Sequence, residues 1–266
     1  ERTEKGDDID SITERIYALT ADITSADIMV YTRGMTPGYG ASNGFEVYVQ
    51  DQKGGKLEDL EKIAKILREK QIIVLSDEIY AELTYGRRHV SMASLPEMWE
   101  RTVVVSGFSK AYAMTGWRLG YICAPAPLAR QMLKIHQYAI MCAPTTAQLA
   151  AITALRDCDE DVAAMTAEYD RRRRLIYNGL HDIGIESFEP EGAFYIYPNI
   201  GKFGLTSEAF CEKLLYEHKC AIVPGIAFGA AGEGFARISY AYSIAHLEKA
   251  VTRIGQMIED IKKGKV

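Results

Sequence analysis

Apolar residues recur at helical spacing in several segments of the chain. Leu57, Leu60, Ile63, Ala64 and Leu67 lie three or four positions apart in turn, which predicts an amphipathic helix. Similar patterns predict helices at residues 9–19, 128–138, 146–155, 160–183, 207–219 and 245–262. The longest of these carries four arginines in a row at 171–174, which we interpret as the solvated face of that helix.

Short apolar runs between these segments predict strands. Residues 72–76, 102–106 and 119–123 are runs of the kind that a parallel sheet buries on both faces. Residues 26–31 and the alternating Phe45, Val47 and Val49 predict two strands joined by a Gly/Pro-rich loop. Three further strands are expected at residues 194–197, 221–223 and 236–240. This order predicts an α/β part followed by an α+β part.

Composition and charge exclude several classes of function. The 266 residues are 48% apolar and 25% charged, as in an ordinary globular protein. The net charge of −5 does not favour binding to nucleic acid or to an anionic membrane. No apolar run approaches the roughly 20 residues that a membrane helix needs. The five cysteines and five histidines show no ligand spacing, so we expect no metal site. Scattered, odd-numbered cysteines favour free thiols in a reducing cytoplasm.

One lysine stands in a context that suggests chemistry. Lys110 follows the predicted strand at 102–106, with Ser106 and Ser109 beside it and Arg118 eight positions later. An uncharged lysine amine forms a Schiff base with the aldehyde of pyridoxal phosphate and later moves protons at the substrate Cα. The arginine offers a planar fork to a phosphate group, and the two serine hydroxyls can satisfy its remaining oxygens.

Two more candidates follow the strand at residues 72–76. Asp77 and Tyr80 lie at its carboxyl end, where open α/β sheets bind their ligands. A carboxylate at Asp77 would keep a pyridine nitrogen protonated, and Tyr80 would donate a hydrogen bond to the ring oxygen. Taken singly, each residue also has a structural interpretation, as a turn residue or a core tyrosine.

Together, the two blocks resemble the signature of pyridoxal-phosphate-dependent class I/II aminotransferases of fold type I. The lysine block reads Ser-Gly-Phe-Ser-Lys-Ala-Tyr-Ala-Met-Thr-Gly-Trp-Arg at 106–118, and further matches lie at 191–197, 223–229 and 232–241. The resemblance implies an α/β fold: a truncated large domain at 57–183, mostly parallel sheet with helices, followed by a small α+β domain at 184–266. It also implies pyridoxal 5′-phosphate as cofactor, amino acid and 2-oxo acid substrates, a homodimer, and Arg237 as the residue that binds the substrate carboxylate.

One block of the family pattern has no counterpart. Family members carry an Asn-Pro-x-Gly block shortly before the helix that we predict from Leu57, but this chain has Gly-Phe-Glu-Val-Tyr-Val-Gln-Asp-Gln-Lys-Gly-Gly at 44–55. Residues 1–56 instead resemble part of a porter subdomain of a resistance-nodulation-division efflux pump. Its helix–strand–strand–helix order is half of a split βαβ unit. The two resemblances predict a chimera, with an N-terminal αββ segment of different origin.

The sequence therefore predicts an aminotransferase that acts through a Schiff base on Lys110. Two alternatives stay open: a catalytically inactive chimera or fragment, and a transporter-derived binding or structural module. The absent Asn-Pro-x-Gly block favours the first of these over full activity. The second is disfavoured because 56 residues cannot form a whole porter subdomain. An absorption spectrum with added cofactor would separate these possibilities.

Overall fold

The computed structural model describes residues 18, 27–34, 43–50, 57–70 and 72–265. These ranges hold eight strands and six α-helices of twelve residues or more. In chain order they are β1 Asp27–Gly34, β2 Asn43–Gln50, α1 Leu57–Arg68, β3 Val74–Asp77, β4 Thr102–Gly107, β5 Gly120–Cys123, α2 Ala126–Ala139, α3 Thr145–Asp157, α4 Asp159–Asp182, β6 Tyr195–Ile196, α5 Ser207–His218, β7 Val223–Pro224, β8 Ala236–Ser239 and α6 Ile244–Lys262. Within the same ranges, none of the helices is long and apolar enough to cross a membrane.

β1 and β2 form an antiparallel hairpin with a sheet of its own. Asp27 pairs with Gln50 at one end and Gly34 with Asn43 at the other. This confirms the two strands predicted in that segment. The hairpin adds no strand to the sheet that begins at β3. Apart from the helical Ala18, the helix predicted at residues 9–19 lies outside the described residues.

β3, β4 and β5 form the second sheet, in that order. β3 and β4 are parallel, with Asp77 opposite Val105, whereas β4 and β5 are antiparallel, with Gly107 opposite Gly120. The expectation of a third parallel strand is therefore wrong for β5. The chain returns from β4 through the loop at 108–119, which contains no crossover helix, and a parallel connection needs one.

Part of the apolar surface of this sheet is exposed. Ile73 and Leu75 are 60% and 66% exposed, and Tyr121 and Ile122 of β5 are 46% and 47% exposed. The expectation of burial on both faces is thus wrong for β3 and β5, whereas the neighbouring Thr102 and Val103 of β4 are both buried. An apolar run predicts which residues can be buried, but the elements packed against the sheet decide which face is covered.

Helix α1 is held to this sheet from two sides. Ala64 is fully buried in a cluster formed with the segment at 92–98, and Val74 of β3 packs against the same cluster. At the end of the helix, the Nη1 atom of Arg101 donates to three backbone carbonyl groups. The acceptors belong to Leu67, Arg68 and Lys70, at 2.7, 3.1 and 2.8 Å. These bonds replace the partners that the last carbonyls of a helix lack.

The largest core lies in the C-terminal part. The third sheet, in the order β6–β8–β7, is antiparallel, and α4, α5 and α6 contribute buried residues against it. Side chains alternate between faces along a strand. Accordingly, Ala236 and Ile238 of β8 are buried in this core, as is Ile196 of β6. Arg237 and Tyr195 therefore lie on the opposite face of the sheet.

The arginine run on α4 is only partly solvated. Arg171 and Arg174 are 70% and 66% exposed at their side chains, as expected, but Arg173 is only 11% exposed. Arg173 binds Asp170 at 2.7 Å and Glu189 at 2.5 Å. The prediction of a solvated face is wrong for Arg173 because four consecutive residues cover more than a full turn of a helix.

Candidate active site

The loop that carries Lys110 is closed by its own hydrogen bonds. The Phe108 amide donates to the carbonyl of Leu119 at 3.3 Å, and the Met114 amide donates to the carbonyl of Phe108 at 3.2 Å. Phe108 and Met114 are buried against α3. Ala113 adopts a left-handed backbone with φ of 53°. The lysine is therefore presented by an anchored loop at the end of β4.

The segment after β3 is tied to β4 at the same end of the sheet. The Glu78 amide donates to the carbonyl of Val105 at 2.8 Å, and the hydroxyl of Ser106 donates to the carbonyl of Glu78 at 3.2 Å. The exposed Asp77 accepts a hydrogen bond from the Ile79 amide at 3.2 Å. Asp77 and Tyr80 thus leave the sheet beside the loop that carries the lysine.

Glu78 anchors this turn through a buried carboxylate. The residue is 8% exposed, and its Oε1 atom accepts from the hydroxyls of Ser76 and Ser91 at 3.0 and 2.7 Å and from the Met92 amide at 3.3 Å. Its Oε2 atom lies 3.0 Å from Nε2 of His89, a histidine to which the sequence assigned no chemistry. A buried charge is tolerated only with such partners, so Glu78 fixes the turn that carries Asp77 and Tyr80.

Lys110 lies against two aromatic rings. Its Nζ atom is 5.8 Å from the ring centroid of Tyr80 and 5.8 Å from that of Phe194. The two rings meet edge to face at 5.5 Å. Phe194 comes from the segment that enters β6, so the site draws on both the α/β part and the C-terminal part of the chain.

The backbone that delivers Phe194 is held in an uncommon conformation. Ala193 has φ of 58°, which alanine rarely adopts. Its carbonyl accepts hydrogen bonds from the hydroxyls of Tyr85 and Tyr240, and its amide donates to the carbonyl of Leu83 at 2.8 Å. These three contacts, which come from the segment at 83–85 and from Tyr240, hold the left-handed backbone and direct Phe194 toward the lysine.

Tyr80 is the point at which the candidate residues meet. Its hydroxyl lies 3.4 Å from the hydroxyl of Tyr195. Burial raises the pKa of the Tyr80 hydroxyl well above its ordinary value, Tyr195 and Asp77 raise this pKa as well, and the charge of Arg237 lowers it. The net shift is upward, so Tyr80 keeps its proton at neutral pH and can act as a hydrogen-bond donor.

Arg237 is stacked between aromatic rings. Its guanidinium carbon lies 4.6 Å from the ring centroid of Tyr195 and 4.5 Å from that of Phe228. Within the described part of the chain, no carboxylate lies within ion-pair distance of Arg237. A cation held by aromatic faces and without an acidic partner is suited to bind an anionic ligand.

The predicted phosphate ligands make other contacts. Arg118 is exposed, adopts a left-handed backbone with φ of 53°, and donates from Nη1 to the carbonyl of Thr115 at 2.8 Å. The carbonyl of Ser109 accepts from the Thr115 hydroxyl at 3.4 Å. Among the residues described, no hydrogen bond joins the side chains of Arg118, Ser106 or Ser109 to Lys110. The structure places Lys110 against Tyr80, and it places Asp77 and Arg237 near enough to act on the pKa of that tyrosine.

Sequence reasoning assigned no role to four residues of this arrangement. They are Glu78, Phe194, Tyr195 and Phe228. The signal for Tyr195 was present, because Tyr-Ile-Tyr at 195–197 alternates with a buried isoleucine and therefore aims two tyrosines at the face of Arg237. Glu78 had no such signal, since all its side-chain partners except Ser76 come from a loop more than ten residues away.

Known proteins resemble this chain over most of its length. The family model described as aminotransferase class I and II matches residues 55–254. A protein named YugH from Bacillus subtilis (strain 168) is 52% identical over 201 residues, which are 76% of this chain and 52% of YugH. An aspartate aminotransferase of Pyrococcus abyssi is 47% identical over 78% of this chain and 54% of its own length.

Solved structures agree with these relatives. The crystal structure of an aromatic aminotransferase from Pyrococcus horikoshii OT3 superposes with a TM-score of 0.77 at 45% identity, covering 80% of this chain and 58% of that one. The chain thus spans about half the length of the relatives that it matches. The matched residues, 55–254, include the lysine loop, the segment after β3 and the sheet of Arg237, and by this match the chain belongs to the class I and II aminotransferase family.

Proposed function

We propose that this chain carries the lysine-bearing part of a pyridoxal-phosphate site that moves an amino group between an amino acid and a 2-oxo acid. One observation supports this proposal above the others. The amine of Lys110 lies against Tyr80, while Asp77 and Arg237 act electrostatically on that same tyrosine. An amine, a carboxylate, a phenol and an unpaired guanidinium are the groups that this chemistry requires.

Asp77, Tyr80 and Lys110 fit the pyridine ring and the aldehyde of the cofactor. When bound, pyridoxal phosphate supplies an aldehyde that takes up the lysine amine and a protonated ring that withdraws electrons from the substrate. The Asp77 carboxylate would hold the proton on the ring nitrogen. The protonated Tyr80 hydroxyl would donate to the ring oxygen. Lys110 Nζ would remove a proton from the substrate Cα and return one in the second half of the reaction.

Arg237 would bind the substrate α-carboxylate through the edge of its guanidinium. Stacking occupies the two faces of the group and leaves the N–H donors of its edge available. Charge-assisted bonds of this kind are stronger than neutral ones. The substrate would therefore be held by its carboxylate with its Cα directed toward Lys110.

Ser106, Ser109 and Arg118 would hold the phosphate group. Arg118 uses one guanidinium nitrogen on a backbone carbonyl, and a guanidinium has five N–H donors. The Ser106 hydroxyl would have to turn away from the carbonyl of Glu78. The phosphate side of the site therefore needs more rearrangement than the ring side.

The proposal extends to the organisation of the protein. We place a partial large domain at residues 57–183 and a small domain at 184–266, because the largest core draws most of its residues from the second range and the end of α4. Residues 1–56 would be a segment of different origin joined near α1, and the family part would act as a cytoplasmic homodimer. The separate sheet of the β1–β2 hairpin is consistent with a join at that point.

We expect weak catalysis from this chain by itself. The described residues leave the apolar surface at Ile73 and Leu75 uncovered, and the sequence lacks the Asn-Pro-x-Gly block with which family members complete the cofactor site. Each hydrogen bond to a charged group contributes roughly 1.5–3 kcal/mol, and catalysis requires a precisely positioned cofactor. A catalytically inactive chimera is thus the second candidate function, and the exposed sheet favours it.

The first test is cofactor attachment. Adding pyridoxal phosphate to the purified chain should produce a visible absorption band, and borohydride should fix one cofactor on the peptide that contains Lys110. Lys110→Ala should abolish both signals. Lys134→Ala is the control, because Lys134 is an exposed helical lysine paired only with Gln131. An unchanged band and adduct in Lys110→Ala would show that the lysine assignment is wrong.

The second test is turnover. We expect little or no transamination of an amino-acid and 2-oxo-acid panel with excess cofactor on protein of verified mass. Rates of about 1–1000 per second would refute the inactive alternative and show that residues 1–56 complete the site.

A further inference from the structure

Tyr195 lies between the two halves of the candidate site. Its ring stacks on Arg237, with 4.6 Å from the guanidinium carbon to the ring centroid, and its hydroxyl is 3.4 Å from that of Tyr80. The rings of Tyr80 and Tyr195 meet edge to face at 6.1 Å. We propose that Tyr195 is a positioning residue that couples anion binding at Arg237 to the hydroxyl of Tyr80. This inference rests on the proposed function for the carboxylate role of Arg237.

The stacking of aromatic rings on Arg237 depends on a loop that is anchored by hydrogen bonds. Phe228, the second ring on Arg237, belongs to a loop whose residue Glu233 accepts hydrogen bonds from both the amide and the hydroxyl of the buried Ser207 at the start of α5, at 2.7 and 2.8 Å. Tyr195 approaches the guanidinium from β6, which pairs with the strand of Arg237. Arg237 is thereby held by two separately anchored elements, the loop of Phe228 and strand β6. Of the two rings that contact it, the one on β6, Tyr195, also contacts Tyr80.

The coupling half depends on what surrounds Tyr80. The charged or titratable groups that face it are Asp77, Lys110, Tyr195 and Arg237. Among the described residues, the only side-chain hydrogen-bond partner of the Tyr80 hydroxyl is Tyr195. An anion that draws the guanidinium toward itself shifts the ring stacked on it, and that ring carries the hydroxyl at 3.4 Å from Tyr80. Carboxylate binding would in this way alter the proton that Tyr80 donates.

The test uses the cofactor-free protein and succinate as the carboxylate probe. Tyrosine and arginine are labelled with carbon-13 at Cζ, and the resonances of Tyr80 and Arg237 are assigned with Tyr80→Phe and Arg237→Leu. Succinate titrations are then recorded for the parent, Tyr195→Phe and Tyr195→Leu. Tyr216→Leu is the control, since Tyr216 is 70% exposed and is not one of the rings that contact Arg237 among the described residues.

Three results are expected. In the parent, succinate shifts both resonances with one dissociation constant. In Tyr195→Phe, the ring remains, so Arg237 binds succinate within about twofold of the parent, while the succinate response of Tyr80 falls by at least half. In Tyr195→Leu, the stacking is lost and the dissociation constant at Arg237 rises about 2- to 30-fold. Tyr216→Leu should match the parent both in the dissociation constant for succinate at Arg237 and in the succinate response of Tyr80.

The outcomes separate this inference from the proposed function. If Arg237 binds succinate but Tyr80 responds equally in the parent and in Tyr195→Phe, the coupling is refuted and the carboxylate role stands. If Arg237 shows no response in the parent, the carboxylate role is refuted and the coupling with it. Should Tyr195→Leu fail to fold, Tyr195→Phe still decides the question, because its hydroxyl is the only group removed.

Discussion

The buried carboxylate of Glu78 makes a sharp prediction about the stability of the turn behind the candidate site. Glu78→Ala removes the acceptor of two serine hydroxyls and of the Met92 amide. Met92 is 9% exposed, so its amide has little access to water. Leaving such a buried donor unpaired costs about 1–3 kcal/mol. Ser76 and Ser91 are partly buried and lose roughly 0.5–1.5 kcal/mol each.

The sum is a loss of about 3 kcal/mol in the free energy of unfolding, since removing a buried charge offsets part of the cost. At this chain length each kcal/mol lowers the melting temperature by about 2–4 °C, so a decrease of roughly 6–12 °C is expected. Glu78→Gln keeps one oxygen as acceptor and should lose about 1 kcal/mol. The assay is urea unfolding followed by circular dichroism, with a thermal melt in parallel.

Glu82→Ala is the matched control, because Glu82 is an exposed glutamate in the same turn and, among the described residues, its carboxylate accepts no hydrogen bond comparable to those of Glu78. It should stay within about 0.5 kcal/mol of the parent. The visible band with pyridoxal phosphate should also weaken in Glu78→Ala, because the turn carries Tyr80. A loss below about 1 kcal/mol in Glu78→Ala would refute the reasoning and show that water replaces the carboxylate in this site.

Three further predictions concern the fold around the site. In Gly232→Ala the new Cβ would lie 2.0 Å from the carbonyl oxygen of Gly225, so the backbone must shift, and urea unfolding should show a loss of about 1–3 kcal/mol. Arg101→Leu frees the carbonyls at the end of α1, and amide exchange in that helix should accelerate about tenfold or more. Arg174 holds the pKa of Asp170 below its ordinary value, so the stabilisation is present above the unfolded pKa of about 3.9 and disappears as pH falls through the folded one. Urea midpoints of Asp170→Asn should therefore lie below those of the parent at pH 7 and approach them near pH 2.

Each of these predictions has a control on the same chain. Gly116→Ala adds a Cβ in open space, and Arg130→Leu and Asp182→Asn change exposed residues. All three should remain within about 0.5 kcal/mol of the parent. A Gly232→Ala variant as stable as Gly116→Ala would contradict the close approach of Gly232 to the carbonyl of Gly225. Unchanged amide exchange of α1 in Arg101→Leu would show that Arg101 does not stabilise the end of that helix. If the urea midpoint of Asp170→Asn still lies below that of the parent near pH 2, the ion pair of Asp170 is not the cause of the difference in stability.

The sequence by itself determined which of the described segments form helices and strands, because periodic apolar positions are a local property. It also identified the lysine block and Arg237, since a family signature is a short string of residues. Tertiary contacts decided the direction of β5, where a loop without a crossover α-helix returns the chain antiparallel. They also decided the burial of Arg173, which depends on which side of α4 faces Glu189.

The same division holds within the site. The sequence indicated Asp77, Tyr80 and Lys110 as candidate site residues because each follows a predicted strand. The residues that support them were not, because Glu78 takes most of its partners from a distant loop and Tyr195 contacts Tyr80 across 115 positions of the sequence. Hydrogen bonds and stacking between remote segments leave no periodic trace in a sequence, so only the folded chain decides which groups meet.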